Sequence, residues 1–303
     1  TNITANMTLT GGAGGDVVLT NVSTDVNAAA FGAGENLSVT LEDVNATITT
    51  GAGTNTINAE ALGDGKVVTI LGDYDATVSI AAGDVNAGAT SGNITVNTSG
   101  DSSNNVTTGS GNDLVEGSLG TDVVNMGNGT NDVLDFSSIG IAISLTTSDI
   151  GEGNVVSGTS VNTDFTGVET LKASAGDDTY TVDFANIGNL VFDGNGGSDS
   201  VELIGSGTTT LSSANFDNIE SLDITGFNTG DTLDITYNNL KAWIETGANE
   251  FTIEVNDNGT DINAGNQFTI SDNNGQTNIA ITTLNSYTLS DIGGVDSITL
   301  HVV

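Results

Sequence analysis

Cysteine, proline and arginine are all missing from this 303-residue chain. Without cysteine there is no disulfide, no thiol nucleophile and no zinc–thiolate site. A soluble chain usually carries about 5% proline. Its complete absence suits strands stacked in parallel coils, where every backbone N–H has a partner to find. Only Lys66, Lys172 and Lys241 are basic, against 39 Asp and Glu, so the net charge is −36. Such a chain repels nucleic acid and anionic membrane surfaces. Histidine is reduced to His301, read as a solvated or edge-strand residue, so no triad is expected. Carboxylate pairs of the glycosidase kind remain open, yet an enzyme acting on acidic sugars needs the missing arginine. The glycine-rich stretches also lack the Gly-Lys-Ser/Thr that cradles phosphate. No enzymatic activity is expected. No apolar run nears the ~20 residues of a membrane span, and TNITANMTLT at the start is no signal peptide.

Aromatic residues make up 5% and apolar residues 36%, too few for a thick core but enough for a thin solenoid. Charged residues total only 14%, so the chain is stripped of bases rather than rich in acids. In stacked coils, carboxylates on neighbouring turns lie about 4.8 Å apart. At an effective dielectric near 20, each such contact costs roughly 3–4 kcal/mol. A few would exceed a whole domain's stability of about 5–15 kcal/mol. Divalent cations relieve that repulsion, and oxygen-only ligands favour Ca²⁺. Adaptation to high salt is the rival explanation of the acidity.

The chain is organised around residues 109–136, GSGNDLVEGSLGTDVVNMGNGTNDVLDF. Glycine pairs, an aspartate and a Val/Leu pair recur there three times, with Asp113, Asp122 and Asp132 as the acids. A unit of about nine residues suits one turn and one short strand, not a helical repeat. Glycine accepts the positive φ of a tight turn, aspartate supplies hard anionic oxygen, and the apolar pair supplies an inward-facing strand. Residues 11–19, GGAGGDVVL, repeat the pattern around Asp16. Between the two stretches Asp or Asn falls every 9–11 residues, at Asp25, Asn36, Asn45, Asn55, Asp64, Asp75, Asp84, Asn93 and Asn104. Two such steps make a coil of about 20 residues with two strands. Runs such as Val67–Ile70 and Val78–Ile80 fit those strands. Where Asn stands for Asp, a side-chain amide ladder replaces metal, so residues 1–105 are expected to hold little.

These motifs resemble the calcium-binding nonapeptide GGxGxDxUx of RTX proteins, which folds as a parallel β-roll. The resemblance implies that Gly109, Gly111, Asp113, Gly120, Asp122, Gly127, Gly129 and Asp132 bind Ca²⁺, with Asp16 as an outlying ligand. Two phrases, FTGVETL (165–171) and FDNIESL (216–222), resemble segments flanking calcium repeats in secreted RTX and S-layer proteins. Phe165 and Phe216 read as core plugs, Leu171 and Leu222 as strand residues, and Glu169 and Glu220 as solvated or hydrogen-bonded rather than ligating. ASAGDDTYTV and DGNGGSDSVEL resemble degenerate repeats, adding Asp177, Asp178, Asp193, Gly197 and Asp199 as metal ligands. The 21-residue separation of Asp178 and Asp199 suits neighbouring coils. GFNTGDTLDIT continues the style with Asp231 and Asp234. After it NNLKAWIETG suggests a short helix, and later strands with turns such as NDNGTD suggest an antiparallel cap. The end, DSITLHVV, resembles type I secretion tails.

The expected fold is all-β: a parallel β-solenoid or β-roll with calcium-binding glycine turns and a small C-terminal antiparallel cap. Its expected parts are residues 1–140, a solenoid ending in RTX-like repeats; 141–237, a degenerate roll; and 238–303, the cap with its secretion-like tail. The resemblance implies a secreted or cell-surface structural protein that assembles with itself into a layer or filament, using Ca²⁺. Cell-surface polysaccharide is a further candidate partner. The alternatives are the C-terminal region of a large adhesin and the secretion tail of an exported enzyme. A threonine-ladder ice-binding solenoid is a minor variant, because the T-x-T triplets look scattered.

Overall fold

A computed structural model describes residues 3–12, 14–183, 185–187, 190–205, 208–212, 214–226, 232–243 and 250–254, with the later strands as backbone. Nearly all of it is β, with parallel strands stacked as a β-solenoid of about 10 turns and only 3% helix. The chain divides into two compact units. One is Thr1–Ile139 with Gly151–Thr170, the other Gly140–Ile150 with Leu171–Val303.

In the first unit each coil contributes one strand to each of two sheets. One sheet runs Gly15–Val22, Glu35–Leu41, Asn55–Asn58, Ala76–Ile80, Ile94–Thr98, Leu114–Glu116, Val133–Asp135. The other includes Ala46–Thr49, Val67–Leu71, Asp84–Asn86, Asn105–Thr107, Gly120–Asn125 and Val161–Thr166. Neighbours are parallel except Glu152–Ser157, which runs antiparallel to Val161–Thr166. Alternation along a strand sends every second side chain inward. Leu37, Val39, Ile57, Val78, Val96, Val115 and Leu134 fill the interior from one sheet, and Ile48, Val68, Ile70, Val85 and Val106 from the other. Each such side chain contributes about 1.5–3 kcal/mol on burial. Aliphatic residues therefore suffice where a globular core would need aromatics.

The Asp/Asn rhythm is a set of caps between coils. The side-chain oxygens of Asp25, Asn36, Asn45, Asp75, Asp84 and Asn93 accept the N–H of Thr47, Thr54, Val67, Asn93, Asn105 and Asn112 at 2.7–3.0 Å. Each donor sits 18–22 residues on, one coil later. Glycines close the corners. Gly127 has φ 76°, and a Cβ there would collide with the carbonyl oxygen of Gly109, itself pressed on that of Thr90.

The second unit stacks Thr179–Asp183, Ser200–Ile204, Ser221–Asp223, Glu250–Glu254 and Ser297–Val302 in parallel. Its core is aromatic. Tyr180 lies 5.0 Å from Phe192, and Trp243 lies 5.1 Å from Phe216 and 6.2 Å from Phe251. Phe165, Leu171, Phe216 and Leu222 are all buried, as the repeated phrase suggests. The expected helix forms at Tyr237–Trp243. Antiparallel pairing does appear beyond it, between Gln267–Ser271 and Asn278–Ala280 and between Asn285–Ser290 and Ser297–Val302. However, Glu250–Glu254 and Gln267–Ser271 also join earlier strands in parallel, so the solenoid pairing continues into the segment read as a cap. The strand carrying His301 is flanked on both sides and is not an edge. Asp231 and the NDNGTD turn lie outside the described residues, as does the Asp234 side chain. Among the described residues no helix is long and apolar enough to cross a membrane.

Candidate metal centre: two buried acidic ladders

One row of the first sheet carries the site. Its register runs Val17, Leu37, Asn55, Ala76, Ile94 and then, one residue before the paired Thr95, Leu114 and Val133, to Asp113 and Asp132. In the early coils the N–H in this row donates to a main-chain carbonyl of the next coil, Leu37 to Thr54 at 2.8 Å and Ala76 to Asn93 at 3.1 Å. From Ile94 onward a carboxylate takes that place. Ile94 N–H donates to Asp113 Oδ1 at 2.7 Å, Asp113 N–H to Asp132 Oδ1 at 2.7 Å, and Asp132 N–H to Glu169 Oε2 at 2.8 Å.

The second unit repeats the arrangement. Ile143 N–H donates to Asp178 Oδ1 at 2.6 Å, Asp178 N–H to Asp199 Oδ1 at 2.7 Å, and Asp199 N–H to Glu220 Oε2 at 2.7 Å. Each ladder starts from an isoleucine N–H and ends on the glutamate of the Phe-x-x-Val/Ile-Glu-x-Leu phrase. Glu169 and Glu220 are therefore hydrogen-bonded, and the reason for the repeated phrase is visible: it supplies the last rung.

The aspartates of both ladders are buried, Asp132 completely. One oxygen of each accepts an N–H, but Asp113 Oδ2, Asp132 Oδ2 and Asp199 Oδ2 have no partner. An ionised carboxylate in that state lacks the hydration it had in water. Burial, reinforced by the charges of Asp113 and Glu169, pushes Asp132 up to about 6. Burial, with the charges of Asp178, Glu220 and Asp177, pushes Asp199 up to about 7. Asp178 is also raised by burial, against the pull of the Ile143 N–H and the Ser174 hydroxyl, which lies 2.8 and 3.0 Å from its two oxygens.

The other proposed ligands divide sharply. Asp122 is buried on the opposite sheet, accepts Asn104 N–H at 2.9 Å, and is raised by burial to about 6. The steps of nine and ten residues thus alternate between sheets, and only Asp113 and Asp132 share a row. Asp16 pairs with Asn36, one residue out of phase with Asp113, and a slip of one flips a side chain to the other face. It is exposed and bound to Asn36 Nδ2 at 2.8 Å. Asp177 is exposed and caps Ser198 N–H, while Asp193 holds Asn195 N–H and Asn218 Nδ2. Gly109, Gly120, Gly127 and Gly197 admit neighbouring carbonyls, of Thr90, Ser102, Gly109 and Gly176, and Gly111 admits that of Gly92. Gly129 lies beneath the Asp132 carboxylate, and Gly194, a glycine of the DGNGGSDSVEL repeat not counted among the expected ligands, lies beneath Asp199 Oδ2 and the Asn218 carbonyl. A Cβ would fill either cradle.

Among the described residues no three His, Cys, Asp or Glu side chains converge as a metal-binding group. The donor chemistry at Asp132 and Asp199 nonetheless suits a hard cation, with orphaned carboxylate oxygens over glycine cradles. At Asp16, Asp177 and Asp193 it does not, because those groups are exposed or half-buried and already accept hydrogen bonds. Comparison with protein-family models, curated proteins and solved structures gave no match.

Proposed function

We propose that this chain is an extracellular structural protein that folds and associates with itself through Ca²⁺. The observation that supports it is the pair of buried ladders, in which Asp113 Oδ2, Asp132 Oδ2 and Asp199 Oδ2 lack partners in a chain of net charge −36. Asp132 would hold cation in one unit and Asp199 in the other, each through its unpartnered oxygen beside a glycine. Calcium takes 6–8 oxygen ligands. One ladder supplies only part of that number, so main-chain carbonyls, water and a second copy complete the set, joining subunits into a layer or filament. A low-calcium cell interior would leave the ladders repelling and the chain competent for export. Calcium at extracellular levels, about 10⁻⁴–10⁻³ M, would complete folding outside. Surface polysaccharide is the anchor this reading calls for. No catalytic role enters it.

The test is a calcium titration of EGTA-stripped protein, read by circular dichroism and light scattering together. The expected result is a rise in β signal followed by scattering, with Mg²⁺ unable to substitute. A stripped protein already folded and monomeric, with both signals indifferent to calcium, would overturn the proposal.

A further inference from the structure

The outward face of the first unit's sheet carries two ranks of uncharged polar side chains. The register aligns Ser38, Thr56, Thr77 and Thr95 in one rank. Two residues along each strand, Thr40, Asn58, Ser79 and Asn97 form the second. With coils about 4.8 Å apart and alternate residues about 7 Å apart along a strand, the eight groups make a regular grid. Side chains 18 or 21 residues apart in sequence are therefore adjacent in space. The grid is bounded by Val18 beside Ser38, and by Leu114 and Glu116 beside Thr95 and Asn97.

Two features suit this face to a neutral ligand. No acid or base falls within it, although the chain carries 39 acids. Its side chains are also uncommitted: only Asn58 has a hydrogen-bond partner among the described residues, Glu60 in its own turn. The opposite sheet carries one comparable uncharged rank, Thr47, Thr69, Asn86, Thr107 and Asn125, but the residues two along, Asn27, Thr49 and Leu71, do not continue it as a second polar rank. Beside the grid runs a groove of about 460 Å³ lined by Thr77, Thr95, Asn55, Asp75 and Asn93. Tyr74, which precedes Asp75, is 43% exposed.

We infer that this face binds a neutral, linear polysaccharide laid across the strands. Hydroxyl and amide groups offer both donors and acceptors, which is what sugar hydroxyls require. A pyranose ring is about one coil spacing long, so successive sugars meet successive ranks. The groove gives a discrete chain an edge to lie in, and the exposed Tyr74 ring gives an apolar sugar face a surface to stack on. Acidic glycans are excluded by the chain's own negative field. The inference gives a molecular site to the polysaccharide anchor proposed above, and rests on that reading only for the origin of the glycan.

The experiment titrates the full chain, in calcium buffer, with cellohexaose, laminarihexaose and mannohexaose, using oligogalacturonate as the charged control. Saturable binding of a neutral hexaose is expected. A Thr77→Glu/Thr95→Glu variant, whose side chains face outward, should weaken it by about tenfold or more, while Thr107→Glu on the other sheet leaves it unchanged. Absence of binding to all three neutral glycans overturns the site, as does equal weakening by Thr107→Glu. Ice shaping without glycan binding also overturns it and makes ordered water the occupant. Calcium-driven assembly is measured separately. Glycan binding without assembly leaves this site standing, and assembly without glycan binding removes the site alone.

Discussion

Along a single row of the first unit, the same backbone donor is satisfied in two ways. Leu37 and Ala76 give their N–H to main-chain carbonyls, whereas Ile94, Asp113 and Asp132 give theirs to carboxylates. Coils stack with either partner, so the acids are not needed to hold one coil on the next. They add instead a dependence that the neutral coils lack: a buried oxygen with no donor, which only a proton or a cation can serve. The neutral row shows what the fold requires, and the acidic row shows what has been laid over it.

The sharpest way to break this contrast is to move an acid into the neutral row. Asn55 is buried and donates to the carbonyls of Gly51, Gly53 and Asp75, each at 2.9 Å. Asn55→Asp would set a carboxylate against three carbonyl oxygens, and should lower stability by about 3 kcal/mol or more, with or without calcium. Urea unfolding measures it.

Next in size is a change whose sign should depend on the cation. Asp199→Asn keeps an oxygen for the Asp178 N–H and turns the orphaned position into a donor, with the Asn218 carbonyl close by. Calcium-free protein should gain about 1–2 kcal/mol at neutral pH, and calcium-loaded protein should lose its extra stabilisation. Equal shifts in both buffers would mean that Asp199 holds no cation.

The pH dependence follows with a definite sign. Asp132 and Asp199 are raised to about 6 and about 7 in the folded chain from 3.8. Between those limits the folded state binds more protons than the unfolded one. From these two groups calcium-free stability should therefore be highest below about pH 4, fall as pH rises from there through 6 and 7, and level off above. Calcium replaces the proton and should flatten this slope. Thermal melts across that range, with and without chelator, read it directly.

The smallest effect belongs to the last rung. Glu169 is half-buried, so Glu169→Gln keeps an acceptor for Asp132 N–H and should change stability by only about 0.5–1 kcal/mol. Its clearer trace would be a fall in the pH midpoint assigned to Asp132, visible by carboxyl NMR.

The coil length and its two strands were legible because Asp and Asn recur at half-coil intervals as caps. Asp113 and Asp132 could be found for the same reason. Asp16 misled, because a nonapeptide match carries no register and one residue of phase decides which face a side chain takes. Glu169 was the harder case. It follows Asp132 by 37 residues, since the strand Glu152–Ser157 and its neighbours intervene before the chain returns to the row. Local period cannot see across such an excursion. The polar grid was hidden likewise, because coils of 18 and 21 residues shift its members in sequence while the sheet realigns them in space.

Trp243 offers an optical consequence. It is the chain's single tryptophan, fully buried against Phe216 and Phe251 within the second unit. Its fluorescence reports on that unit alone, while the first unit is dark at wavelengths that excite only indole. Comparing emission with circular dichroism during one unfolding experiment would thus follow the two halves separately, without a label.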